Sequence, residues 1–261
     1  MTFDITPINQ AYKQPLQAKV DNLTKPKGSL GLLEEIAIQI GMIQETLSPS
    51  LRNPHHIVFA ADHGISDEKV SVSPKEVTFQ MIFNFLTGGA GVNFLSRQHG
   101  IALTVIDVGV DYEFEQDSPS FLKRKIRKGT RNYLYEAAMS PSEADEALKV
   151  GAETVQACHD KGCNIISFGE MGISNTSASA LWISFLMDKP LKECVGAGCD
   201  HSGGIINHKY QILNAAQSNY KGDRSPYDLM CYFGGYEMVA AVRMINERAS
   251  FQTVDVNKYF Q

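Results

Sequence analysis

Four short, mostly apolar runs, each closed by glycine and polar residues, set the frame for any fold this chain can adopt. They are residues 57–61 before Asp62-His63-Gly64, residues 101–106 before Asp107 and Gly109, residues 164–168 before Gly169-Glu170, and Cys194-Val195 before Gly196-Ala197-Gly198. Continuous rather than alternating hydrophobicity is the mark of strands buried on both faces.

The stretches between them read as helices. Ser140 with Glu143 makes a capping box, Pro141 suits a first turn, and Ala144, Leu148, Ala152 and Val155 continue one stripe. An earlier stripe of Leu33, Ile36, Ile40 and Ile43 follows a loop at residues 24–29, with Ser29 placed to cap it. Strands separated by helices imply right-handed crossovers and an α/β fold with a parallel sheet covered on both faces. Ligands bind beyond the carboxyl ends of such strands, so the glycine loops are predicted to gather at one edge and form the site.

A chain of 261 residues accommodates one large α/β domain, or one with a small helical appendage. A net charge of -5 and a pI near 5.8 argue against broad attraction to nucleic acid or an anionic membrane and favour a small-molecule partner. The five cysteines are odd in number, and Cys158 and Cys163 lack metal-pair spacing, so reduced thiols in a cytoplasmic protein are expected. The first ten residues have no basic start followed by an apolar run, and no apolar stretch is long enough to cross a bilayer.

The richest segment is residues 167–180, Ser-Phe-Gly-Glu-Met-Gly-Ile-Ser-Asn-Thr-Ser-Ala-Ser-Ala. A strand opening into a glycine turn and a small-residue helix lets main-chain N–H groups meet an anion at the favourable end of the helix dipole. Gly172 allows close approach, while Ser174, Asn175, Thr176 and Ser177 add hydrogen bonds, so phosphate is the natural guest. An ordinary polar helix start explains these residues equally well, and no Gly-Lys-Ser/Thr ending makes the segment a P-loop.

A second glycine loop, residues 196–204, precedes Lys209, whose charge would complement a phosphate; alone, this lysine reads as a surface group. In the third segment Ser71 and Gln80 can hydrogen-bond a planar heterocycle and Met81 and Phe83 can enclose it, although core packing is the plainer role for the apolar pair. Asp62, His63 and His201 make a weak case for a metal, because no paired ligand spacing accompanies them. The basic run from Lys123 to Arg131 reads as a solvated loop.

Taken in order, six segments resemble one family over nearly the whole chain. They are Leu-Thr-Lys-Pro-Lys-Gly-Ser-Leu-Gly at 23–31, Ala-Asp-His-Gly at 61–64, Ser-Pro-Lys-Glu-Val-Thr at 73–78, Gly-Gly-Ala-Gly-Val-Asn at 88–93, Gly-Glu-Met-Gly-Ile-Ser-Asn-Thr at 169–176 and Phe-Gly-Gly-Tyr-Glu at 233–237. The family is that of the nicotinate-nucleotide:dimethylbenzimidazole phosphoribosyltransferases. The resemblance implies transfer of phosphoribose from nicotinate mononucleotide to dimethylbenzimidazole or a related base, giving α-ribazole phosphate and nicotinate in cobalamin biosynthesis. It implies a cytoplasmic homodimer with no metal or cofactor. It also implies a Rossmann-like sheet domain over residues 51–225 and a smaller helical domain drawn from residues 1–50 and 226–261.

The same resemblance places ribose phosphate on Gly172, Ser174, Asn175, Thr176, Ser177, Gly196, Gly198 and Lys209. It places the base among Ser71, Gln80, Met81 and Met171, and Glu170 near the reacting atoms. One departure stands out. Family members continue after the Phe-Gly-Gly-Tyr-Glu segment through a further βα region and a Gly-Glu-Gly loop whose glutamate is the general base. Here no Gly-Glu-Gly occurs, and residues 239–242 run directly into a stretch that, with Lys258-Tyr259-Phe260, looks like the family's extreme C-terminus. An internally deleted homologue is therefore expected, with surface left uncovered, altered dimerisation or solubility, and weak base transfer or none. Glu237, in the middle of a predicted helix, reads as structural rather than as a replacement base.

Overall fold

A computed structural model describes residues 7–200 and 202–246. Four parallel strands, β1 (His55–Ala61), β2 (Ala102–Gly109), β3 (Phe121–Lys123) and β4 (Ile166–Met171), lie in the order β3-β2-β1-β4. The strand signal came from three of the four runs, extended at their ends. The three-residue β3 sits at the start of the basic run and had no apolar signature of its own.

Cys194-Val195, expected as a strand, is not one. Residues Leu191–Cys194 form the short helix α7 after Pro190, and the Val195 N–H closes it by donating to the Leu191 carbonyl, 3.1 Å away. Two apolar residues behind a helix-starting proline cannot hold a ladder of their own.

Helices cover both faces. On one, α5 (Pro141–Asp160) and α10 (Tyr236–Asn246) bury Ile57, Phe59, Ala61, Ile106 and Val108 beneath Leu148, Val155, Val239 and Ala240. The Ser140 capping box and Pro141 begin α5 as its sequence requires. On the other face, Val58, Ala60 and Val105 meet α3 (Val77–Leu86) and an aromatic cluster that includes Phe79, Phe83, Tyr112 and Phe114. Helix α4 (Gly91–Gln98) leads into β2. Helices α6 (Asn175–Leu186), α8 (Ile206–Asn219) and α9 (Pro226–Phe233) share a separate core around Leu181, Leu213 and Phe233.

At the N-terminal end α1 (Lys13–Asp21) packs on α2 (Leu32–Ile43) through Leu16, Ile38 and Met42. The buried stripe is thus rotated from the expected one: Leu33 is exposed, and Gly31 rather than Ser29 takes the capping position. The cause is Glu34, whose carboxylate turns inward to accept from Lys25 Nζ at 2.7 Å and from the Leu30 N–H at 3.0 Å. The residues resembling the family's C-terminus, 247–261, lie outside the described residues.

Strand β4 is an edge: among the described residues it pairs with β1 alone, and Phe168 is 40% exposed. The basic run is not simply solvated. Lys123 pairs with Asp117, Arg124 with Glu153, Lys128 with Glu113 and Arg131 with Glu143, while Lys125 turns inward to Asp107 at 2.7 Å. No helix among the described residues is long and apolar enough to cross a membrane.

Candidate functional site

The carboxyl ends of β1 and β4 deliver the site, as the crossover rule requires. After β4 the chain turns at Gly172, where a side-chain carbon would lie 2.6 Å from the Ala61 carbonyl oxygen, so only glycine lets the turn sit this close to β1. Thr78 on α3 pins the turn by accepting from the Ile173 N–H at 3.2 Å. Ser174 then adopts a left-handed backbone (φ 79°), with its hydroxyl held by Ser66 at 3.0 Å, and α6 begins. A non-glycine residue held in that conformation marks a turn shaped by its surroundings.

Lys209 reaches this helix start from α8. Its side chain is 1% exposed, yet its Nζ donates to Thr176 Oγ1 at 2.7 Å, and Thr176 faces solvent. Gly198, with φ of +61°, brings the second glycine loop alongside: a carbon built there would stand 3.4 Å from Thr176 Oγ1 and 3.9 Å from Lys209 Nζ. Asp200 shapes that loop by accepting from the Ser202 and Ile205 N–H groups. Burial holds the Lys209 ammonium below its ordinary range.

The structure therefore brings Thr176, Gly198 and Lys209 together beside the turn of Gly172, Ser174 and Asn175. Gly196 stands in open space nearby on the same loop. Ser177 points the other way: it is fully buried beneath α6, and its hydroxyl meets no hydrogen-bond partner among the described residues. Of the residues expected around the base, Met171 joins the aromatic cluster under α3. Gln80 is exposed and Met81 half-buried on that helix, and Ser71 lies in the loop ahead of it, accepting from the Ser73 N–H.

Glu170, the penultimate residue of β4, projects at the rim, where Asn175 donates to it from the first turn of α6. Its outer side keeps solvent contact. Desolvation on the inner side, reinforced by the Glu237 carboxylate and opposed by His63, pushes its carboxyl up to about 7.

Behind the rim sits a pair that sequence reasoning did not join. His63 Nε2 and Glu237 Oε1 are 2.6 Å apart, with both side chains out of solvent. Glu237 is not mid-helix. The Gly234-Gly235 break ends α9 and places Glu237 in the first turn of α10. The legible signal was the double glycine before an acidic residue, which marks a helix start. His63 thus spends Nε2 on a carboxylate, and His201 lies outside the described residues.

A family model described as a phosphoribosyltransferase matches residues 5–254. A nicotinate-nucleotide–dimethylbenzimidazole phosphoribosyltransferase of Bacteroides fragilis is 52% identical over 253 residues, covering 97% of this chain and 73% of the relative. The enzyme of the same name from Parabacteroides distasonis is 55% identical over 241 residues, covering 92% and 69%. This chain belongs to that phosphoribosyltransferase family. A crystal structure of CobT from Thermus thermophilus superposes with a TM-score of 0.82 at 36% identity, covering 91% of this chain and 71% of the other. The superposition thus places the same fold over nine tenths of this chain.

Proposed function

We propose that this phosphoribosyltransferase moves phosphoribose from nicotinate mononucleotide to dimethylbenzimidazole or a related base, yielding α-ribazole phosphate and nicotinate. One observation carries the reading: a buried lysine with no carboxylate partner among the described residues meets a helix start and a glycine loop at Thr176, an arrangement that favours a phosphate dianion. The ring nitrogen of the incoming base attacks the anomeric carbon, the bond to nicotinate breaks with its electron pair leaving on the pyridine nitrogen, and the base sheds its ring proton. Positive charge builds on the ribose during this exchange, so carboxylates close to the sugar stabilise the transition state.

Glu170 is our candidate for that place and for the proton acceptor. A carboxyl titrating at about 7 is matched to proton transfer near neutrality. Ser71, Gln80, Met81 and Met171 border the base side in this reading, and the working unit is a cytoplasmic homodimer.

A second reading, a homologue that holds the mononucleotide but turns it over slowly, is favoured by the absence of any Gly-Glu-Gly from the 261 residues. Chromatographic assay of α-ribazole phosphate, run beside calorimetry with nicotinate mononucleotide, separates the two. Product that disappears in Glu170→Gln supports the transferase, binding without product supports the second reading, and neither binding nor product refutes both.

A further inference from the structure

The His63–Glu237 pair is costly to bury and is used by nothing described so far. Each partner is fully desolvated, and each keeps a polar atom, His63 Nδ1 and Glu237 Oε2, without a hydrogen-bond partner among the described residues. Buried ion pairs rarely repay their desolvation in stability alone. The backbone has been cleared to admit this one. A side-chain carbon at Gly172 would lie 3.0 Å from Glu237 Oε1 and 3.1 Å from His63 Cδ2, and one at Gly235 would collide with both side chains.

We propose that the His63–Glu237 pair is a positioning element of the transfer site: it ties the end of β1 and the start of α10 to the underside of the Gly172 turn, and holds fixed charge behind Glu170. Neither residue touches substrate in this arrangement; both act through the turn and through Glu170. The inference rests on the reading that Glu170 and the turn form the site.

The charges that face His63 come from three elements: Asp62 at the end of β1, Glu170 on β4 and Glu237 on α10. Burial opposes its protonation, and the three carboxylates outweigh it, so the imidazole titrates above its ordinary range. Asp62 is in turn oriented by the Asp111 N–H at 2.8 Å. On Glu170 the repulsion from Glu237 exceeds the attraction of His63, so removing the Glu237 charge lets Glu170 ionise more readily.

The test is carboxylate-carbon NMR titration of the full chain with labelled glutamate, the Glu170 signal being assigned by its loss in Glu170→Gln. The native midpoint is expected at about 7, and in Glu237→Gln it should fall toward the ordinary 4.5. The double variant His63→Gln/Glu237→Gln retains a neutral hydrogen bond and should show a fall in the same direction, smaller because the attraction of His63 goes with the repulsion of Glu237, which keeps the test readable where the single variant does not fold. An unmoved or raised midpoint in the folded variants overturns the proposal. Calorimetry with nicotinate mononucleotide on the same samples is independent: a native chain that does not bind it counts against the function reading, while the midpoint still decides the role of the pair.

Discussion

Lys209 carries a charge that the free protein would be more stable without. Its stem is buried where α8 meets α6, its ammonium has only the Thr176 hydroxyl to meet among the described residues, and desolvation depresses its titration point. Lys209→Met should therefore raise the melting temperature while weakening nicotinate mononucleotide binding by about 10- to 150-fold, the worth of roughly 1.5–3 kcal/mol for a charge-assisted contact. The linkage sign agrees. A lysine whose folded titration point is lowered binds fewer protons folded than unfolded, so its cost is present when protonated and relieved as pH rises through that point. Calorimetry and thermal melts on the two proteins check both halves; a variant that binds as well as the parent shows that the ammonium does not meet the ligand.

Helix α10 crosses α5 at closest approach over Gly151, where any side-chain carbon would overlap the Ala240 carbonyl. Gly151→Val should cost about 1–3 kcal/mol in denaturant unfolding by forcing the two helices apart. An unchanged midpoint would show that the crossing yields freely. This layer explains what the sequence could and could not disclose. Strand runs at residues 57–61 and 101–106 were readable because β1 and β2 are buried on both sides, and α5 because its cap and stripe agree. Helix α2 misled because one buried carboxylate, Glu34, rotates its face, and Cys194-Val195 because two apolar residues carry too little signal to separate strand from helix end. The loops at Gly172 and at Gly196 to Gly198 were legible as glycine turns. The meeting of His63 and Glu237, 174 residues apart, was not, since no local pattern records a contact that only tertiary folding creates.

Across the molecule, the charges behind the site couple folding to pH. His63 has its titration point raised by folding, so its contribution is fully present below its ordinary 6.5 and is lost as pH climbs through the higher folded value. Glu170 acts in the same sense, binding its proton more tightly when folded between 4.5 and about 7. Melting temperature should thus decline from pH 5 to pH 8, and decline less steeply in His63→Gln/Glu237→Gln; equal slopes would show that the pair does not titrate with folding. The unpaired outer edge of β4, with Phe168 exposed beside Glu170, places the rim of the site where the sheet is least enclosed.

The proposed phosphate cradle is probed most directly by calorimetry that compares nicotinate mononucleotide with its nucleoside, which lacks the phosphate, on the parent chain and on Lys209→Met. The cradle requires a large preference for the mononucleotide in the parent that collapses in the variant, as coupled partners do. Equal affinity of the parent for both ligands, or an undiminished preference in the variant, would contradict it.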